Sequence, residues 1–129
     1  MDDNPRIAIS DAESHVMEVL WQASAPMVAE QIVDALSETR SWQAATVKTL
    51  LNRLLKKGAI RAEKEGRRFL YHAVLKRDEW LAAESGGLLD RLFGGRIAPL
   101  VAYFGSQRKL SPADIQELRK LIDEFDDGE

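Results

Sequence analysis

Between Arg40 and Arg77 the chain places eleven Lys or Arg residues against two carboxylates, Glu63 and Glu65. Guanidinium and ammonium groups at this density neutralise phosphates, and Arg can also pair with both acceptors of a guanine edge. The block is local. The 129 residues together carry 18 Lys and Arg against 21 Asp and Glu, a net charge of −3, and the sum runs −7 before Arg40, +9 within the block and −5 after Arg77. Such a block inside an acidic chain predicts a polyanion-binding surface. Covalent chemistry finds far fewer groups. There is no Cys, and the only imidazoles, His15 and His72, have no carboxylate or thiolate at ligand or triad spacing. Neither an enzyme nor a bound metal or cofactor is expected.

The basic residues follow a helix pattern and then a hairpin pattern, so the surrounding elements set where their side chains stand. Ser10-Asp11-Ala12-Glu13 is a capping box, and Val16, Met17, Val19 and Leu20 place an apolar stripe behind it, which predicts a helix from about Asp11 to Trp21. Ala25-Pro26 ends that segment. Val28, Ile32, Val33 and Leu36 predict a second helix closing near Glu38, with Thr39 to Ser41 as the turn and Ser41 as the cap of a third. Val47, Leu50, Leu51, Leu54 and Leu55 form the stripe of this third helix, and Gly58 stands at its C-cap. The period then changes. Ile60 and Ala62, then Phe69, Tyr71 and Ala73, alternate with polar neighbours across Glu65-Gly66-Arg67, which predicts a two-stranded hairpin over residues 60–73.

Three helices and a hairpin in this order predict a winged helix-turn-helix. On a helical wheel, the side of the third helix opposite its stripe carries Ala45, Thr49, Asn52, Arg53 and Lys56, with Trp42 and Thr46 at its edge. That face, on a helix over about 42–57, suits a major groove of double-stranded DNA, and Ala45, Thr46, Thr49 and Arg53 are the candidates for reading bases. Trp42, Lys48, Lys56, Lys64, Arg67 and Arg68 are the candidates for phosphate, the last three on the wing. The competing reading gives the same charges only a solvating role, on a helix and hairpin that serve as a protein-interaction adaptor. Trp21, Trp42 and Trp80 are expected to pack, and His15 and His72 to be ordinary structural or surface histidines.

After the hairpin, Trp80, Leu81, Leu88, Leu89, Leu92 and Phe93 predict a fourth helix, interrupted at Gly86-Gly87 and closed by Gly94-Gly95. Ile97, Leu100, Val101 and Phe104 predict a short fifth. The sixth starts at Ser111-Pro112 and carries Ile115, Leu118, Leu121, Ile122 and Phe125. This stretch is too short to bury its own stripes, which argues for a second copy related by a two-fold axis. The candidates for that homodimer surface are Leu88, Leu89, Leu92, Phe93, Ile97, Leu100, Val101, Phe104, Leu118, Leu121, Ile122 and Phe125. The expected architecture is therefore mainly α with a small β-hairpin: residues 1–75 a winged-helix DNA-binding domain, residues 76–129 a helical dimerisation domain. No apolar run approaches a membrane span of about 20 residues, and the polar start, Met1 to Arg6, lacks a signal-peptide core, so a cytoplasmic protein without direct membrane binding is expected.

The run Ser41-Trp42-Gln43-Ala44-Ala45-Thr46-Val47-Lys48-Thr49-Leu50-Leu51-Asn52-Arg53-Leu54-Leu55-Lys56-Lys57-Gly58, with Lys64-Glu65-Gly66-Arg67 and Tyr71, resembles the penicillinase-repressor (BlaI/MecI/CopY) family of bacterial transcriptional regulators. Ile9 to Glu13 with Leu20-Trp21 resembles the family's opening helix, and Phe93-Gly94-Gly95 with Leu110-Ser111 and Glu117-Leu118 its dimerisation region. The resemblance implies a homodimeric repressor on an inverted-repeat operator, with Thr46, Lys48, Thr49 and Arg53 on the recognition helix. It also implies an upstream membrane sensor or protease, because β-lactamase-controlling members are inactivated by cleavage in the short dimerisation helix. Here that stretch includes Tyr103 and Phe104, the candidate cleavage region, and Tyr103 stands where those members carry an amide. The copper-responsive branch relies on Cys-x-Cys pairs, which this chain lacks.

Overall fold

The computed structural model describes residues 7–127, in which six helices and two strands follow the order α1 (Asp11–Gln22), α2 (Ala29–Arg40), α3 (Ala44–Lys57), β1 (Ile60–Glu65), β2 (Arg68–Ala73), α4 (Arg77–Phe93), α5 (Ile97–Ser106) and α6 (Pro112–Asp127). The predicted capping box forms. Ser10 Oγ accepts the Glu13 N–H at 3.1 Å while Ser10 N–H donates to Glu13 Oε1 at 2.7 Å, so two end groups of α1 are satisfied reciprocally. At α2 only one half of such a box exists, the Val28 N–H donating to Gln31 Oε1 at 3.0 Å, because Val28 has no side-chain acceptor.

Two sequence expectations need correction. Ser41 does not cap α3; it ends α2 in the left-handed region (φ 59°, ψ 28°), its N–H bonded to Ser37 O, and α3 starts behind Gln43 with no side-chain cap. The helix before it thus runs to Arg40 rather than to Glu38, since the Ser41 geometry satisfies its last carbonyls. Nor is α4 interrupted at Gly86-Gly87, where it passes through in helical conformation. Each glycine weakens the helix by about 1 kcal/mol relative to Ala, which the Ala and Leu residues around the pair outweigh. Gly58 does supply the expected left-handed C-cap (φ 77°) of α3, and Gly94 and Gly95 (φ 60° and 78°) follow the end of α4.

The hairpin pairs antiparallel in the register Ile60 with Ala73, Ala62 with Tyr71, Lys64 with Phe69 and Glu65 with Arg68, turning through Gly66 (φ 66°) and Arg67. A bridge that the sequence pattern does not contain adds to it: Met27 and Tyr71 exchange both backbone hydrogen bonds, at 3.3 and 2.7 Å. That bridge ties the loop before α2 to the wing.

The chain divides into two compact units, one running to Ala82 and one starting at Ala83. The first includes Lys76 to Ala82 and with them the start of α4. This stretch is held by Trp80, which lies 5.4 Å from Trp21 between ring centres, and by Arg77 Nε, which donates to Glu18 Oε1 at 3.1 Å. In this unit α1, α2 and α3 pack on one another, β1 on α3, and β2 on α1 and α2. The core is Ile9, Val16, Met17, Leu20, Ile32, Leu36, Val47, Leu50, Leu51, Leu54, Ala59, Ile60 and Leu75. In the second unit α5, α6 and the rest of α4 bury no side chain. No helix among the described residues is long and apolar enough to cross a membrane.

Candidate nucleic-acid interface

The α3 helix presents its two sides in the way its sequence requires. Val47, Leu50, Leu51 and Leu54 are buried, while Ala45, Thr46, Lys48, Thr49, Asn52, Arg53 and Lys56 are all exposed. One helix face therefore collects every base-reading candidate. Thr49 Oγ1 donates to Ala45 O at 3.0 Å, so its hydroxyl hydrogen is engaged and its lone pairs and methyl are what it offers outward. Trp42, half-buried, stands at the entry of α3 and packs one side edge-on against His15 at 5.8 Å. The other tryptophans also pack against the core, and Trp21 Nε1 donates to Leu75 O at 2.8 Å.

Four of the eleven basic residues have a carboxylate within reach: Lys57 with Glu13, Arg61 with Glu63, Arg68 with Glu65 and Arg77 with Glu18. The other seven, including Lys48, Arg53 and Lys56 on α3 and Lys64 and Arg67 on the wing, have none within 4.0 Å among the described residues. Uncompensated charge thus remains where the phosphate candidates stand. The Arg68–Glu65 separation is 3.9 Å between exposed side chains, a weak pair that a phosphate can displace. Arg68 also lines a shallow groove of about 220 Å³ with Phe69 and Tyr71 of the wing and Val28, Ala29 and Glu30 at the start of α2.

Sequence reasoning missed the use made of Lys57, which it counted in the basic block. Its Nζ donates to Glu13 Oε1 at 2.5 Å, and Glu13 is 2 % exposed. Glu13 announced itself only as a capping residue, and its partner lies 44 positions away. His72 is also less ordinary than expected: its Nε2 is buried without a hydrogen-bond partner among the described residues, 3.7 Å from Glu63.

In the second unit the dimerisation candidates lie open. Leu92, Ile97, Ile122 and Phe125 are 60 % exposed or more, Leu88, Phe104 and Leu121 are exposed to a lesser degree, and Leu89, Phe93, Leu100, Val101 and Leu118 are half-buried. Tyr103 and Phe104 stand exposed within α5, their rings edge-to-face at 5.3 Å.

Three helices, the third with a polar outer face, beside a two-stranded wing define a winged helix-turn-helix. Solved structures agree: the chain superposes on the DNA-binding domain of the repressor BlaI with a TM-score of 0.52 at 40% identity, over 57% of this chain and 88% of that one. It matches equally the Bacillus licheniformis BlaI monomer in complex with the blaP half-operator, with a TM-score of 0.51 at 40% identity, over 57% and 90% of the two chains. The family model described as penicillinase repressor matches residues 9–124, and the chain belongs to that family. Among curated relatives, the penicillinase repressor of Bacillus licheniformis is 35% identical over 90% of each chain. The methicillin resistance regulatory protein MecI of Staphylococcus aureus strain N315 is 29% identical, over 93% of this chain and 97% of that one. The family is one of repressors rather than enzymes.

Proposed function

We propose that this chain is a DNA-binding transcriptional repressor that acts as a homodimer, each copy placing α3 in the major groove at one half of an inverted-repeat operator. The observation that carries the reading is the exposed α3 face of Ala45, Thr46, Thr49 and Arg53, flanked by uncompensated Lys and Arg. Its relatives support it: one is a penicillinase repressor, and BlaI has been solved on a half-operator. In this reading Arg53 and the two threonines read base edges, while Trp42, Lys48, Lys56, Lys64, Arg67 and Arg68 set register and affinity on phosphates. The homodimer rests on the open apolar faces after Ala83, which a second copy can cover under two-fold symmetry. Such a repressor acts in the cytoplasm, where the chromosome lies.

Release from DNA, in the same proposal, follows either binding of a ligand or cleavage near Tyr103-Phe104 under an upstream membrane sensor or protease. Both residues sit inside a hydrogen-bonded helix, so a protease needs that part of α5 to open locally first.

The test is a titration of a duplex selected from a random pool, run on the wild type and on Arg53→Ala. Loss of Arg53 is expected to weaken that duplex by about 1–3 kcal/mol and to relax selectivity at one position, whereas Arg67→Ala weakens all duplexes alike and reduces the salt slope by about one. If folded Arg53→Ala bound as tightly as wild type, the assignment of this face would fail. No binding of any duplex, even at low ionic strength, would favour the protein-interaction adaptor instead.

A further inference from the structure

Glu13 and Lys57 join elements that are far apart in sequence. Glu13 lies in the first turn of α1 and is 2 % exposed; Lys57 is the last residue of α3, just before the Gly58 cap, with its side chain 37 % exposed. A single oxygen, Glu13 Oε1, receives both the Lys57 Nζ at 2.5 Å and the Ser10 N–H at 2.7 Å. The capping box thus helps fix the orientation of the carboxylate that the lysine meets.

At the other end of α3, Trp42 rests edge-on against His15, two residues after Glu13 on the same helix. Between these points α3 meets the core through apolar side chains, the buried Val47, Leu50, Leu51 and Leu54 and the half-buried Leu55. Apolar contact is non-directional, and it leaves a helix some freedom to roll or slide about its axis. A charge-assisted hydrogen bond has a preferred length and angle, and it removes that freedom.

We infer that the Glu13–Lys57 pair is a clamp that sets the pitch of α3 in the groove, so that both are positioning residues for base reading and Lys57 is not a ligand of DNA. The inference rests on the proposed DNA-binding function. Two observations separate it from a surface ion pair. The carboxylate is buried, where removing its partner leaves an uncompensated charge. Its acid strength is also raised: burial alone pushes its pKa up, but the Lys57 hydrogen bond, the Ser10 backbone bond and the Lys57 charge together take it below the ordinary 4.5. Lys56, the neighbour, is exposed and has no carboxylate within 4.0 Å among the described residues, so adjacent lysines in one basic run have separate tasks.

The experiment uses the full chain with Glu13→Gln, Lys57→Met and Lys57→Arg. Gln keeps a neutral acceptor for the Ser10 N–H, so α1 retains its cap. The probes are a duplex selected by the wild type from a random pool and the same duplex scrambled, both titrated over a range of salt. A misaimed helix forfeits on the order of one base contact, so Glu13→Gln and Lys57→Met are each expected to lower the selected-to-scrambled affinity ratio about tenfold. The double variant is expected to be no worse than either, because both remove one interaction. Lys57→Arg, which retains a donor, is expected to restore the ratio, with the salt slope on the scrambled duplex unchanged throughout.

A slope that falls by about one in Lys57→Met would make Lys57 a phosphate ligand and overturn the clamp. A lower melting temperature with ratio and slope both unchanged would overturn it too, by reducing the pair to fold stabilisation. Arg53→Ala run in parallel separates the layers: if it loses selectivity while Lys57→Met does not, the clamp fails and the base-reading face stands. A wild type that prefers no duplex over its scrambled form removes the reading beneath and the clamp with it.

Discussion

Helices α3 and α6 have similar lengths, 14 and 16 residues, and both carry an apolar stripe at helical spacing. In α3 the stripe is covered: Val47, Leu50, Leu51 and Leu54 are at most 4 % exposed. In α6 it is open, with Ile122 at 62 % and Phe125 at 71 %. The same contrast holds between the two units, since the thirteen buried hydrophobic residues among those described all lie between Ile9 and Leu75. An amphipathic stripe therefore specifies a helix and a side to be covered, but not what covers it. For α3 the cover is two other helices and a strand of the same chain. For α6 we assign it to a second copy.

The contrast is sharpest in stability measurements, where a core residue acts within one chain and an interface residue acts through concentration. Leu54→Ala, at a fully buried position, is expected to destabilise the first unit by about 2–5 kcal/mol. Urea unfolding should register this equally at low and high protein concentration. Phe125→Ala is expected to weaken self-association by about 1.5–3 kcal/mol for each copy, read by sedimentation equilibrium, and to leave the monomer as stable as before. A Phe125→Ala effect of equal size at every concentration would break the comparison, because α6 would then be covered within its own chain.

Acid sharpens it from another side. The Glu13 carboxyl titrates below its ordinary 4.5 in the folded chain, so the unfolded chain takes up its proton first as the pH falls. The pair's contribution is therefore fully present above about pH 4.5 and is lost as pH drops through the lower folded value. Wild type should be more stable than Glu13→Gln by about 1 kcal/mol at neutral pH, Lys57 being partly solvated, and this gap should close on acidification. A gap that stays constant with pH would mean the carboxylate charge contributes nothing. The smallest effect is expected in the second unit. A Cβ at Gly86 meets nothing within 4 Å and the backbone there is helical, so Gly86→Ala should raise helix stability by at most about 1 kcal/mol, visible as slower amide exchange in α4.

Most of the fold was legible because its signals are local. The Ser10–Glu13 box, the Gly58 cap, Pro112 at the start of α6 and the change from helical to alternating period at Ile60 each involve neighbours a few residues apart. Where local signals were ambiguous, the reading slipped. Ser41 fits either end of a helix, and only the path of the chain out of α2 makes it a left-handed C-cap. Gly86-Gly87 reads as a break, yet the surrounding helix formers carry α4 through it. The recognition face was legible for the same reason as the helix, since opposite sides of one helix follow from its period alone.

Where basic charge gathers, which residues share a helix face and which elements exist all follow from spacing along the chain, and the similarity to penicillinase repressors follows from the same residues. Which charges are committed to partners depends on the packed fold. It placed Lys57 on Glu13 across 44 positions, left Lys56 without a carboxylate among the described residues, and joined Met27 to Tyr71 in a bridge that no periodicity marks. The physical reason is that capping and periodicity depend on spacing along the chain, whereas ion pairs and bridges between elements depend on where packing brings the backbone.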